Sequence, residues 1–126
     1  MSAPLVFITG ASSGIGQALA ARYARAGWRL ALVARRADAL ETWCRAQGWP
    51  SGQWAVYGAD VRDVASITAA GRGCLERQGL PDVVIANAGI SVGVDTAEAE
   101  DLDVIRATFD TNNLGMAATF QPFLAP

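Results

Sequence analysis

Short apolar runs alternate with longer stretches whose apolar residues recur at helical spacing. Leu5–Thr9 reads as a buried strand. Ile15, Ala18, Leu19 and Tyr23 follow on one face of a helix that Gly27 ends. Arg29–Ala34 is a second strand. Asp38 and Glu41 are spaced as in a capping box and open a helix to about Gln47. Gln53–Tyr57 is a third strand. Asp63 caps a helix carrying Val64, Ile67 and Leu75, which Gly71 and Gly73 weaken. Pro81 leads into a fourth strand, Asp82–Ala86. Glu98 to about Asp110 is helical, with Leu102, Ile105 and Phe109 on one stripe, and a further helix runs from Asn112 to near Leu124. Apolar strands alternating with helices predict an α/β fold, a parallel sheet of about four strands with helices on both faces. No internal repeat or low-complexity linker divides residues 1–126, so the chain reads as one domain or part of one.

The turn after the first strand, within VFITGASSGIG, holds glycines at 10, 14 and 16. A strand entering such a turn and then a helix creates a site for an anion. The helix N-terminus offers unpaired N–H groups and partial positive charge, and bare backbone lets a diphosphate approach. The spacing is Gly10-x-x-x-Gly14-x-Gly16 rather than G-x-G-x-x-G. By analogy, Gly10 makes the tight turn, Gly14 admits the phosphates and Gly16 packs the helix on the strand. Ser12 and Ser13 add hydroxyl donors. The alternative is a glycine-rich turn without a ligand.

Composition narrows the chemistry. A 52% hydrophobic and 17% charged chain folds rather than staying disordered. A net charge of −2 argues against nucleic acid or a membrane surface as the main partner. The chain has no His, which excludes a His metal site and a Ser-His-Asp triad, and no Lys. Cys44 and Cys74 have no metal-type spacing and read as small core residues in a reducing cytoplasm. The uncharged residues 1–21 lack the basic start and unbroken apolar core of a secretory signal, and no segment reads as membrane-spanning.

Together, TGASSGIG at 9–16, DV at 60–61, NAG at 87–89 and NNLG at 112–115 resemble the short-chain dehydrogenase/reductase family, classical type. The resemblance runs from about Leu5 to the end. It departs at Ala86, where relatives often carry Asn. It implies a Rossmann-type fold, here the first half of a doubly wound sheet, that binds a nicotinamide dinucleotide and moves hydride to or from a small-molecule carbonyl or alcohol. Carried over, Gly10, Ser12, Ser13, Gly14, Ile15 and Gly16 hold the diphosphate. Asp60 and the Val61 backbone contact the adenine. Asn87, Ala88 and Gly89 lie against the ribose. Asp60 is otherwise a loop carboxylate and Asn87 a turn former.

The end of the second strand bears on which dinucleotide binds. An acid there binds the ribose 2′-OH of NAD, whereas Arg accommodates the 2′-phosphate of NADP. Here the strand ends in Ala34, followed by Arg35 and Arg36. Two arginines before a helix N-terminus are disfavoured by its dipole unless an anion joins them. NADP(H) is therefore expected over NAD(H), the alternative being two solvated arginines.

The family's catalysis uses an Asn, a Ser and a Y-x-x-x-K pair, in which the Lys lowers the Tyr pKa towards neutral. FDTNNLG places the Asn role on Asn112, which otherwise is only a poor helix former. The Ser, Tyr and Lys have no counterpart: Lys is absent, and Tyr23 and Tyr57 lie too early. The chain thus resembles the cofactor-binding half of such an enzyme, expected to be inactive by itself, with a bare sheet edge at its fourth strand that limits solubility. A non-catalytic dinucleotide-binding module and a decayed remnant are the alternatives. Relatives commonly pair through the helix near Asn112, so a complete chain is expected to be a homo-oligomer.

Overall fold

The computed structural model describes residues 3–88 and 99–124, some of the latter by backbone alone. Strands β1 (Leu5–Thr9), β2 (Arg29–Ala34), β3 (Trp54–Gly58) and β4 (Val83–Ile85) form a parallel sheet in the order β3-β2-β1-β4. Helices α1 (Gly14–Arg25), α2 (Ala37–Ala46), α3 (Val64–Arg77) and α4 (Ala99–Leu124) alternate with them. The chain steps outward from β1 to β3, then returns to the other side of β1 for β4. That reversal opens a crevice beyond the carboxyl ends of the strands, where doubly wound sheets bind ligands.

The pleat sends Leu5, Phe7, Ala31 and Val33 towards α3 and α4, and Val6, Ile8, Leu30 and Leu32 towards α1 and α2. Burial on both faces explains the apolar runs Leu5–Ile8 of β1 and Leu30–Ala34 of β2. Each of the large side chains buried here contributes roughly 1.5–3 kcal/mol. Phe7 meets Phe123 of α4 edge to face, with centroids 4.9 Å apart. At the opposite end of the sheet, the Leu5 N–H donates to the Asp82 carboxylate at 2.8 Å, and Arg29 donates to the carbonyls of Ala3 and Gln78.

Several local expectations change. The buried stripe of α1 is Gly16, Ala20 and Ala24, while Ile15 is 69% exposed. Small residues four apart let the helix approach the sheet, and the bulkier Leu19 and Tyr23 fill its flanks. Asp38 does not cap α2. Arg36 occupies the N-cap without a side-chain bond, and Asp38 lies inside the first turn, where its charge suits the dipole. Glu41 pairs instead with Arg45 at 3.6 Å. Asp63 does cap α3, accepting from the N–H groups of Ala65 and Ser66 at 3.0 and 3.4 Å. Gly71 is a close-packing point rather than a weakness, since a Cβ there would lie 2.9 Å from Pro122 Cγ.

The two helices expected after β4 are one, continuous through Asn112 and Asn113. Tertiary contact overrides the poor propensity of that segment. Gly115 lets α4 reach the Val61 carbonyl, which a Cβ would meet at 2.8 Å. Thr119, buried one turn later, donates to the Gly115 carbonyl at 2.6 Å. Leu102 is exposed, and the side chains of Ile105 and Phe109 lie outside the described residues, as does Glu98. Among the described residues, no helix is long and apolar enough to cross a membrane. Cys44 and Cys74 are free and buried, and burial pushes both thiols up to about 11.

Candidate dinucleotide site

The glycine loop is fixed from three sides. The Ala11 N–H donates to the Val33 carbonyl at 3.0 Å, which ties the loop to β2. The Ala88 N–H donates to Thr9 Oγ1 at 3.1 Å, and Asn87 Nδ2 donates to the Gly10 carbonyl and to Ser13 Oγ at 3.2 and 3.1 Å. These bonds draw the end of β4 against the loop. Gly10 has φ +64°, and a Cβ there would stand 2.9 Å from the Ala88 backbone. Glycine is therefore required twice over, for the turn and for the approach of β4.

Ser13 is the N-cap of α1. Its Oγ accepts from the Gly16 N–H at 3.0 Å and donates to the Gly10 carbonyl at 2.8 Å. The hydroxyl hydrogen expected to serve a phosphate is thus already committed to the loop. Ser12 is exposed and makes no such bond among the described residues. The N–H groups of Gly14 and Ile15 have no acceptor among the described residues. A Cβ on Gly14 would meet nothing within 4 Å, whereas one on Gly16 would collide with the Gly10 carbonyl and stand 2.8 Å from Ala11 Cα. Open space and free donors at a helix N-terminus fit the diphosphate of a dinucleotide.

The loop borders a cavity of about 470 Å³ at the carboxyl ends of the strands. Gly10, Ser12 and Ser13 line it from the first turn, Arg35 from the end of β2, and Asp60 and Val61 from the end of β3. Asn87 and Ala88 close it beside β4. The structure brings these sequence-predicted residues together. Gly14, Ile15, Gly16, Arg36 and Asn112 do not line the cavity. Asn112 is half-buried in α4, one turn before the glycine that touches Val61. Gly89 lies outside the described residues.

One charged wall residue was not anticipated. Arg62 lines the cavity and clasps Asp60: Nε donates to both carboxylate oxygens at 3.1 Å and Nη2 to Oδ2 at 2.8 Å. The Arg62 N–H also donates to Oδ1, at 2.9 Å. This clasp holds the Asp60 carboxyl below the usual carboxylate range, with a smaller contribution from Arg35. The cavity's ionised groups are then two guanidiniums and one carboxylate, a balance that favours an anionic ligand. The sequence signal was a guanidinium two residues beyond Asp60, a common feature of solvated loops.

Neither tyrosine lines the cavity. Tyr57 is buried under α3, donates to Gln78 Oε1 at 2.8 Å, and is pushed up to about 12, first by burial. That is the opposite of the tuning an acid–base group needs near neutral pH.

A family model described as short chain dehydrogenase matches residues 4–126. Estradiol 17-beta-dehydrogenase 1 of Rattus norvegicus is 37% identical over 131 residues, covering 98% of this chain and 37% of the rat protein. Among solved structures, an alcohol dehydrogenase from Thermococcus sibiricus complexed with 5-hydroxy-NADP has a TM-score of 0.81 at 34% identity, covering 98% of this chain and 52% of that one. A 3-ketoacyl-(acyl-carrier-protein) reductase from Brucella melitensis complexed with NADH has a TM-score of 0.77 at 27% identity, covering 96% and 49%. The chain spans 37–52% of the length of these relatives. With the glycine loop, the strand order and the family match all agreeing over nearly the whole chain, this protein belongs to the short-chain dehydrogenase family.

Proposed function

We propose that the chain is the dinucleotide-binding half of an oxidoreductase acting between a carbonyl and an alcohol, and that it prefers NADP(H) to NAD(H). The single observation behind the preference is the end of β2. Ala34 stands where an acid would hold a ribose 2′-OH, and Arg35 lies in the cavity wall with no ion-pair partner among the described residues. The two similar structures described above hold 5-hydroxy-NADP and NADH respectively, so likeness alone does not choose. Arg36, at the N-cap of α2, adds positive charge behind Arg35.

A bound nicotinamide would supply or accept the hydride. This chain's own residues bind and orient the rest of the dinucleotide: the α1 N-terminus takes the diphosphate, Asp60 and Val61 take the adenine, and Asn87 and Ala88 shape the ribose wall. Asn112 is the only residue assigned to the family's catalytic set. The 126 residues hold no counterpart of the Ser, Tyr and Lys of that set, so on this reading they bind without catalysing. In a longer chain we assign α4 to a homo-oligomer contact, and the two free, buried thiols suit a reducing cytoplasm.

The test is a fluorescence titration of NADPH and NADH against the chain and Arg35→Ala. NADPH should bind more tightly, and the substitution should weaken NADPH about 10–100-fold while leaving NADH unchanged, because charge-assisted hydrogen bonds contribute about 1.5–3 kcal/mol. Equal affinities of the unmodified chain for both cofactors would refute the preference.

A further inference from the structure

We propose that Arg62 is the adenine platform of this site: its guanidinium plane, held edge-on by Asp60, stacks on the adenine ring of a bound dinucleotide. This rests on the function proposed above and assigns a specificity role to a residue that the family motifs do not include. Three observations carry it.

Arg62 lines the cavity immediately beyond Asp60 and Val61. Its Nε and Nη2 hydrogens are taken up by the Asp60 carboxylate in the guanidinium plane, at 2.8–3.1 Å. That fork takes up the Nε hydrogen and one Nη2 hydrogen and fixes the plane, leaving both flat faces and the outer Nη edge open, and the side chain is 49% exposed. Guanidinium faces stack on aromatic rings, and an Arg already fixed by a fork loses little further freedom when a ring settles on it.

The neighbouring wall selects a flat, uncharged group. Val33, Ala34 and Ala59 also line the cavity, so a purine meets aliphatic surface there as well as the guanidinium. A phosphate suits Arg62 poorly. Donors remain on its outer Nη edge, but its charge is already paired by Asp60 at 2.8 Å, and that carboxylate repels an arriving anion. Arg35 has no such partner among the described residues and is the guanidinium open to phosphate. The two arginines thus divide the adenosine end between them, Arg35 reading the 2′-phosphate and Arg62 the base.

Dissociation constants for NADPH, NADH and 5′-AMP, measured on the 126-residue chain, Arg62→Ala and Arg62→Lys, test this. Both substitutions should weaken all three ligands alike, by about tenfold. Lys should do no better than Ala, because it keeps the charge and loses the plane. The Asp63 cap does not depend on Arg62, so both variants should melt with the unmodified chain. A loss confined to NADPH would make Arg62 a phosphate ligand and overturn the proposal. So would full affinity in Arg62→Lys, which would mean that charge alone matters, or unchanged binding in Arg62→Ala. If Arg35→Ala still weakens NADPH alone, the proposed function stands and only the platform fails. No binding of any of the three ligands to the unmodified chain would overturn both.

Discussion

Gly14→Ala and Gly16→Ala add the same methyl group two residues apart, and the structure predicts different losses. At Gly16 the new Cβ would stand 2.8 Å from Ala11 Cα and 2.9 Å from the Gly10 carbonyl carbon, and closer still to the Gly10 oxygen. All three are backbone atoms of a loop pinned by hydrogen bonds to β2 and β4, so no side chain can swing aside. Overpacking of this kind costs about 1–3 kcal/mol, and the upper end applies where backbone must move. Alanine's better helix propensity returns at most about 1 kcal/mol. The net loss is about 2 kcal/mol, a fall in Tm of roughly 8 °C for a domain of this size. At Gly14 the Cβ meets nothing within 4 Å, and the residue is not among the positive-φ glycines, so stability should hold or rise by up to about 1 kcal/mol. Its loss should fall on the ligand, because the proposed function puts the diphosphate in the open space beside Gly14. Thermal melts by circular dichroism, followed by NADPH titration, separate the effects. A Gly16→Ala protein that melts like the unmodified chain, or a Gly14→Ala protein that melts well below it, would refute the reasoning.

Two further outcomes follow from buried groups and missing ones. Cys44 and Cys74 are pushed up to about 11 from 9.0, mainly by burial, so the folded state favours the neutral thiols. Their contribution is fully present below pH 9 and is lost as pH rises towards 11, so the urea midpoint should fall over that window. A Cys44→Ala, Cys74→Ala variant should lose less over it, and an equal fall would assign the effect elsewhere. The 126-residue chain should show no NADPH oxidation with aldehydes or ketones and no NADP+ reduction with alcohols, and steady turnover would contradict the reading that these residues bind without catalysing.

The parts of the fold that the sequence displayed are those where one physical demand dominates. β1 and β2 are buried on both faces and so could only be apolar runs. Gly10 and Gly16 are glycines because neighbouring backbone leaves no room for a Cβ, and Asp63 stands alone before α3 as its cap. The hidden parts depend on partners far away in sequence. Asn112 and Asn113 favour a break, yet Gly115 on Val61 and Phe123 on Phe7 hold α4 in one piece. Ser13 has the right chemistry for a phosphate donor, but its hydroxyl serves the Gly10 carbonyl. Ile15 lies at helical spacing with Leu19, yet it is exposed because the helix approaches the sheet through Gly16, Ala20 and Ala24. Arg62 became visible only when the turn at Asp60 folded its guanidinium back onto the carboxylate.

The most direct test of the central claim is an amide-resolved NMR titration of the chain with NADP+. The largest shifts should fall on Gly14, Ile15 and Gly16 at the start of α1, with a second group at Arg35 and at Asp60–Arg62. The apolar face of α4 around Phe120 and Leu124 should stay still. Saturable binding that leaves the α1 N-terminus unshifted, or shifts concentrated on α4, would contradict the assignment of the diphosphate to the glycine loop.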